Sequence, residues 1–136
     1  MRNEELTLLM SAITNRERLD TLMERNPDDL FTDPDALVVF DSLRAMIGDG
    51  VDPDLPTLAV RLQDTQGDRA GAIISEITKA PVTVNFLGLM SELSRHRSRR
   101  RIQDFARNLF DTIKNGADLE SATAILTKFQ DKMTIL

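Results

Sequence analysis

The chain has 136 residues, 41% hydrophobic and 29% charged, with a formal net charge of −5. That length and balance fit one folded domain with its own core and exclude a disordered chain. The absence of cysteine excludes a disulfide scaffold, thiolate metal sites and a thiol nucleophile, and a lone histidine, His96, excludes a histidine metal cluster.

Taken in chain order, the periodicity is helical throughout. Leu6, Leu9, Met10 and Ile13 fall on one helix face, and Leu19, Leu22 and Met23 continue it after a break near Asn15. Asn26-Pro27 stops the second helix, because a residue before proline is driven out of the α region. Asp33-Pro34-Asp35 predicts a helix start, with a capping carboxylate, proline at the first helical position and a second acid in the first turn. Ala36, Leu37, Val39, Phe40, Leu43 and Ile47 then make a wide apolar stripe that Gly48 and Gly50 terminate. Asp54-Leu55-Pro56-Thr57 predicts another capped helix over Leu58 and Leu62. Gln66-Gly67-Asp68 is a turn, and Ile73, Ile74 and Ile77 mark a short fifth helix ending before Pro81.

From about Thr83 to Lys114 only Gly88 weakens a helix, by about 1 kcal/mol relative to alanine. Asn115-Gly116 closes this long helix, and Asp118 is placed to cap the next. Ile102, Ala106, Leu109 and Ile113 on the long helix recur in steps of three and four residues, as do Leu119, Ala122, Leu126, Phe129 and Met133 on the last. Two such seams joined by a tight turn predict an antiparallel helical hairpin with too few further core residues to cover itself. The expected architecture is all-α and a single domain over 1–136. A small globular bundle over 1–82 is followed by a long helix and protruding hairpin over 83–136.

The chemistry is mostly notable by exclusion. A phosphate-cradling P-loop needs a Gly-Lys pair, and none occurs. There is no Gly-x-Ser-x-Gly elbow, and one histidine cannot complete a nucleophilic triad with plausible partners. Asp28, Asp29, Asp33, Asp35, Asp49, Asp52 and Asp54 sit where caps and turns are expected, and Asp49-Gly50-Val51-Asp52 lacks the spacing of a calcium loop. The expectation is therefore no catalytic residue, no cofactor and no metal. No run approaches the ~18 apolar residues of a membrane span. Met1-Arg2-Asn3-Glu4-Glu5 is unlike a secretory signal, and a cytoplasmic protein without membrane contact is expected.

Charge is unevenly distributed. Residues 1–90 carry 8 Lys/Arg against 16 Asp/Glu, whereas residues 91–136 carry 9 against 6. The basic half contains Arg95, Arg97, Arg99, Arg100 and Arg101, with His96 among them. At ~100° per residue these side chains spread around most of a helix. Three readings are open for them, a solvated girdle, docking onto acidic protein surface, or contact with nucleic-acid phosphates, and protein contact is expected ahead of DNA. With no interleaved aromatic residue, DNA contact is expected to be weak or indirect.

Several short marks in this order resemble the amino-terminal domain of the DnaB-type replicative DNA helicase. Leu30-Phe31 followed by Val39-Phe40 is similar to that family's aromatic turn and its Ile-Phe in the third helix. Asp54-Leu55-Pro56-Thr57-Leu58 with Leu62 resembles its Asp-x-x-Thr-Val-x-x-x-Leu. Pro81 with Asn85 resembles its Pro-Thr-x-x-Asn start of the long helix, in which Arg100 also falls where the family carries arginine. The pattern departs from the family at Thr32, Ala36, Val82 and Leu89, and its glycine pair is reduced to the separated Gly67 and Gly71. The resemblance implies a non-catalytic domain that forms a homodimer through the hairpin, and three such dimers in a collar above the helicase motor. Primase or a helicase loader is the docking partner it implies, and the ATP site lies in a motor beyond this domain. Two alternatives stand beside it: a stand-alone helicase-binding adaptor of the loader or primase kind, and a small nucleic-acid-binding protein using the arginine tract.

Overall fold

A computed structural model describes residues 2–115 and 119–135, without the side chains of Leu119 and of 132–135. It is all-α, with no strand among the described residues. The helices are α1 (Arg2–Ile13), α2 (Arg16–Met23), α3 (Pro34–Gly48), α4 (Leu55–Gln66), α5 (Ala70–Lys79), α6 (Phe86–Lys114) and α7 (Leu119–Ile135). Short 3₁₀ turns at Pro27–Asp29 and Gly67–Arg69 join α2 to α3 and α4 to α5. Two compact units result, Met1–Arg97 and Ser98–Leu136. The first takes in the opening turns of α6.

The expected start signals are formed. Asn15 Oδ1 accepts the backbone N–H of Glu17 at 3.0 Å and of Arg18 at 3.3 Å, so the break between α1 and α2 is an N-cap. Asp33 caps α3 through the N–H of Ala36 at 3.1 Å, and Asp54 caps α4 through that of Thr57 at 2.8 Å. The Asp54 pKa is lowered because those hydrogen bonds from Thr57 favour the carboxylate. Gly67, at φ 60°, takes the left-handed backbone that ends α4. The expected cap Asp118 and the turn glycine Gly116 lie outside the described residues.

The core of the first unit is assembled from one stripe per helix. Leu8, Leu9 and Ala12 of α1 meet Leu19 and Leu22 of α2, Val39, Phe40, Leu43 and Met46 of α3, Leu58 and Leu62 of α4, and Ile77 of α5. Phe86, Met90 and Leu93 close it from α6. Phe31, in the turn before α3, packs its ring 5.6 Å from that of Phe40 at a tilted 51°. Leu37 and Ile47, on the margins of the α3 stripe, are half-buried rather than buried.

Polar groups fix how these helices meet. The Glu5 carboxylate is buried in α1, where it accepts the Thr32 N–H at 2.6 Å, the Thr32 hydroxyl at 2.9 Å and the Asp33 N–H at 3.1 Å. It thereby satisfies backbone donors just ahead of α3 that burial would otherwise leave unpaired. Arg2 adds an ion pair to Asp33 at 2.6 Å, and Arg69 pairs with Asp35 at 2.5 Å. The hydrogen bond to Asp33 is the main reason the Arg2 pKa is raised. Arg44 lies 4.6 Å from the Phe40 ring centroid and donates to the carbonyls of Met23, the last residue of α2, and of Arg25 just beyond it.

Candidate interaction surfaces

The start of α6 is pinned from three sides. Thr83 donates its N–H to the buried Ser11 hydroxyl at 2.9 Å, and its carbonyl accepts from Arg18 Nη1 at 3.0 Å. Its own hydroxyl accepts the Asn85 N–H at 3.1 Å. Asn85 Oδ1 then caps α6 through the N–H of Gly88 at 3.2 Å, and Arg18 lies 5.8 Å from the Phe86 ring centroid. Gly88 has a positional reason here, since a Cβ on it would come within 2.2 Å of the Asn85 amide nitrogen. This connection carries Val82, Val84 and Leu87 outward, with Val84 almost fully exposed. An open cleft of about 690 Å³ lies alongside, lined in part by Asn3, Leu6, Glu76, Lys79, Val82 and Leu89.

In the second unit, α6 and α7 pair as a hairpin. The rings of Phe105 and Phe129 stack with centroids 4.1 Å apart and planes at 22°. Phe105, Leu109 and Thr112 are half-buried on α6, as are Ala122, Ile125 and Phe129 on α7. The sequence-predicted interface set divides accordingly. Leu109 and Phe129 belong to the hairpin's own seam. Ile102, Ala106, Ile113 and Leu126 are exposed, with Ile102 at 50% and Ile113 at 61%. The side chains of Leu119 and Met133 lie outside the described residues.

Sequence reasoning missed three residues of this unit. Phe105 and Ile125 belong to the seam, and Phe110 stands 65% exposed beside Ile102 and Ile113. The spacing 105-109-112 and 122-125-129 fits a helix face as well as the steps through Ile102, Ala106, Leu109 and Ile113 do. The signal available in the sequence was ring size: pairing Phe105 with Phe129 buries the two largest apolar groups that the seam can bring together.

The arginine tract is distributed over several roles. Arg97 Nε donates to the Asp28 carbonyl at 3.0 Å, and Arg25 Nη2 donates to the Ser94 hydroxyl at 3.5 Å. Arg95 lies 3.4 Å from Glu92 and Arg100 lies 4.0 Å from Asp104, both as exposed pairs. Arg101 is half-buried, whereas Arg99 and His96 are exposed, and Arg99 has no hydrogen-bond or ion-pair partner among the described residues. The acids expected at caps and turns also disperse. Asp49 pairs with Arg61 at 2.8 Å and Asp52 faces Arg16 at 3.9 Å. No group of three His, Asp or Glu side chains suited to a metal occurs among the described residues. No helix of the described residues is long and apolar enough to cross a membrane.

No protein-family profile matches the chain, and no curated protein matches it by sequence. Among solved structures, it is similar to the N-terminal domain of DnaB helicase from Mycobacterium tuberculosis, with a TM-score of 0.75 and 18% identity. The match covers 100% of this chain and 97% of that one. Bundle, pinned long helix and terminal hairpin are thus the fold of a DnaB helicase N-terminal domain, reached at low sequence identity.

Proposed function

We propose that this chain is a non-catalytic assembly domain of the replicative-helicase type, which pairs with a second copy through its hairpin. In that role three dimers form a collar, and the collar docks primase or a helicase loader during DNA replication. The observation that carries the reading is an uncovered apolar stripe, Ile102, Phe110, Ile113 and Leu126, on a unit with no fully buried side chain among its described residues. Ala106 continues the stripe, and Leu109 and Phe129 support it from the seam behind. Leu119 and Met133 complete the set by sequence spacing. Compact units of ~40 residues or fewer rarely hold a core without staples or association. This unit, Ser98–Leu136, has no cysteine and no metal cluster among its described residues. The shared fold with a helicase N-terminal domain gives the association its setting.

Light scattering at micromolar concentration tests this. The wild type is expected at the mass of a dimer, and Ile113→Asp combined with Leu126→Asp should halve it while the far-ultraviolet circular dichroism stays helical. Each apolar side chain covered at an interface contributes roughly 1.5–3 kcal/mol, so two charges there suffice to separate the copies. A wild type that is already monomeric at high micromolar concentration would sink the proposal and favour the adaptor reading, in which the chain waits as a monomer for its helicase.

A further inference from the structure

Residues 94–101 of α6, Ser-Arg-His-Arg-Ser-Arg-Arg-Arg, contain five arginines, no acid and no apolar side chain. Leu93 is the last side chain of α6 buried in the first unit, and Phe105 is the first in the seam of the second. Arg97 donates a long-range hydrogen bond to the Asp28 carbonyl, and Arg101 is half-buried and has a partner of its own. The pairs Arg95–Glu92 and Arg100–Asp104 are exposed at 3.4 and 4.0 Å, the kind of contact that exchanges readily for a stronger anion. Arg99 is exposed and has no partner among the described residues. The like-charged i,i+4 pairs Arg95/Arg99 and Arg97/Arg101 work against the helix.

We propose that this run of α6 is a contact site for the phosphate backbone of nucleic acid. The inference is independent of the hairpin pairing proposed above. One feature favours nucleic acid over an acidic protein partner. A protein interface draws its affinity from apolar and aromatic anchors at its centre, and eight consecutive residues here offer none. Guanidinium groups suit phosphate oxygens through bidentate, charge-assisted hydrogen bonds. Without a stacking aromatic, the contact reads no sequence, and the −8 balance of residues 1–90 keeps it weak.

Fluorescence anisotropy on the full chain tests the site, using labelled single-stranded and duplex oligonucleotides at a series of KCl concentrations. Binding in the micromolar range at low salt is expected, without sequence preference. Log affinity should fall against log salt with a slope of about −2 to −3, as for three phosphates neutralised. Arg95→Gln, Arg99→Gln and Arg100→Gln together should weaken binding at least tenfold and flatten that slope, with helicity unchanged. The lysine versions should retain most of it, and Arg99→Glu alone should weaken it measurably if the triple variant does not fold. The proposal is overturned if the wild type shows no binding at low salt, or if the glutamine variant folds and binds as the wild type does. It is equally overturned if a polyglutamate of matched charge binds as tightly as the oligonucleotides, which would make the tract a receiver of acidic protein.

Discussion

The first unit and the hairpin obtain their order from different sources. In Met1–Arg97 every helix contributes fully buried apolar side chains to a common core, and the buried Glu5 and Ser11 are hydrogen-bonded within it. In Ser98–Leu136 the described residues reach only half-burial, along a single seam whose strongest contact is the Phe105–Phe129 stack. Both regions carry clear helical periodicity, so periodicity alone does not distinguish a helix that has found its cover from one that has not. The difference lies in how many elements surround each stripe. One helix has at most one neighbour in a hairpin, and an apolar arc wider than that neighbour is left facing solvent.

Four substitutions sharpen this contrast. The largest effect is expected for Phe40→Ala, which removes a fully buried ring that touches Phe31 and lies beneath Arg44. A loss of about 3–5 kcal/mol is expected in urea denaturation. That is a large share of a small domain's stability, and the loss should be felt throughout α1–α5. A cost below about 1 kcal/mol, the range of a surface change rather than a core truncation, would mean the core is not continuous through α3.

Phe129→Ala comes next, at about 1–3 kcal/mol, because it removes a half-buried ring and its stacking partner's contact. The effect should be local. Amide hydrogen exchange is expected to quicken in α7 and in the second half of α6 and to stay unchanged in α1–α5. Equal acceleration in both units would show that they unfold as one cooperative block, with the hairpin drawing on the same core as the bundle.

The smallest effect concerns the beginning of α6. Asn85→Ala should cost about 1 kcal/mol through loss of the cap. Gly88→Ala alone should be close to neutral. The alanine gains up to about 1 kcal/mol of helix propensity, but its Cβ meets the Asn85 amide and displaces the cap. In the Asn85→Ala background that conflict is absent, so Gly88→Ala should stabilise the protein. A thermal-melt double-mutant cycle checks this, and simple additivity would show that the glycine has no part in the cap.

The sequence by itself determined the number of helices in the bundle, their start signals and the all-α class. Each of those is a local matter: a capping oxygen at Asp33 or Asp54, a fixed φ at Pro34, a left-handed glycine at Gly67. Tertiary structure decided what local rules cannot reach. Glu5 reads as a surface acid in the first turn of α1 and becomes buried only because Thr32 and Asp33 arrive against it from the turn ahead of α3. Gly88 reads as a weak point in a long helix until the Asn85 side chain is seen occupying the space beside it. The rotation of the hairpin seam was settled in the same way. A 3.6-residue period admits neighbouring faces of nearly equal apolarity, and the choice between them fell to the stacking of two rings that lie 24 residues apart in sequence.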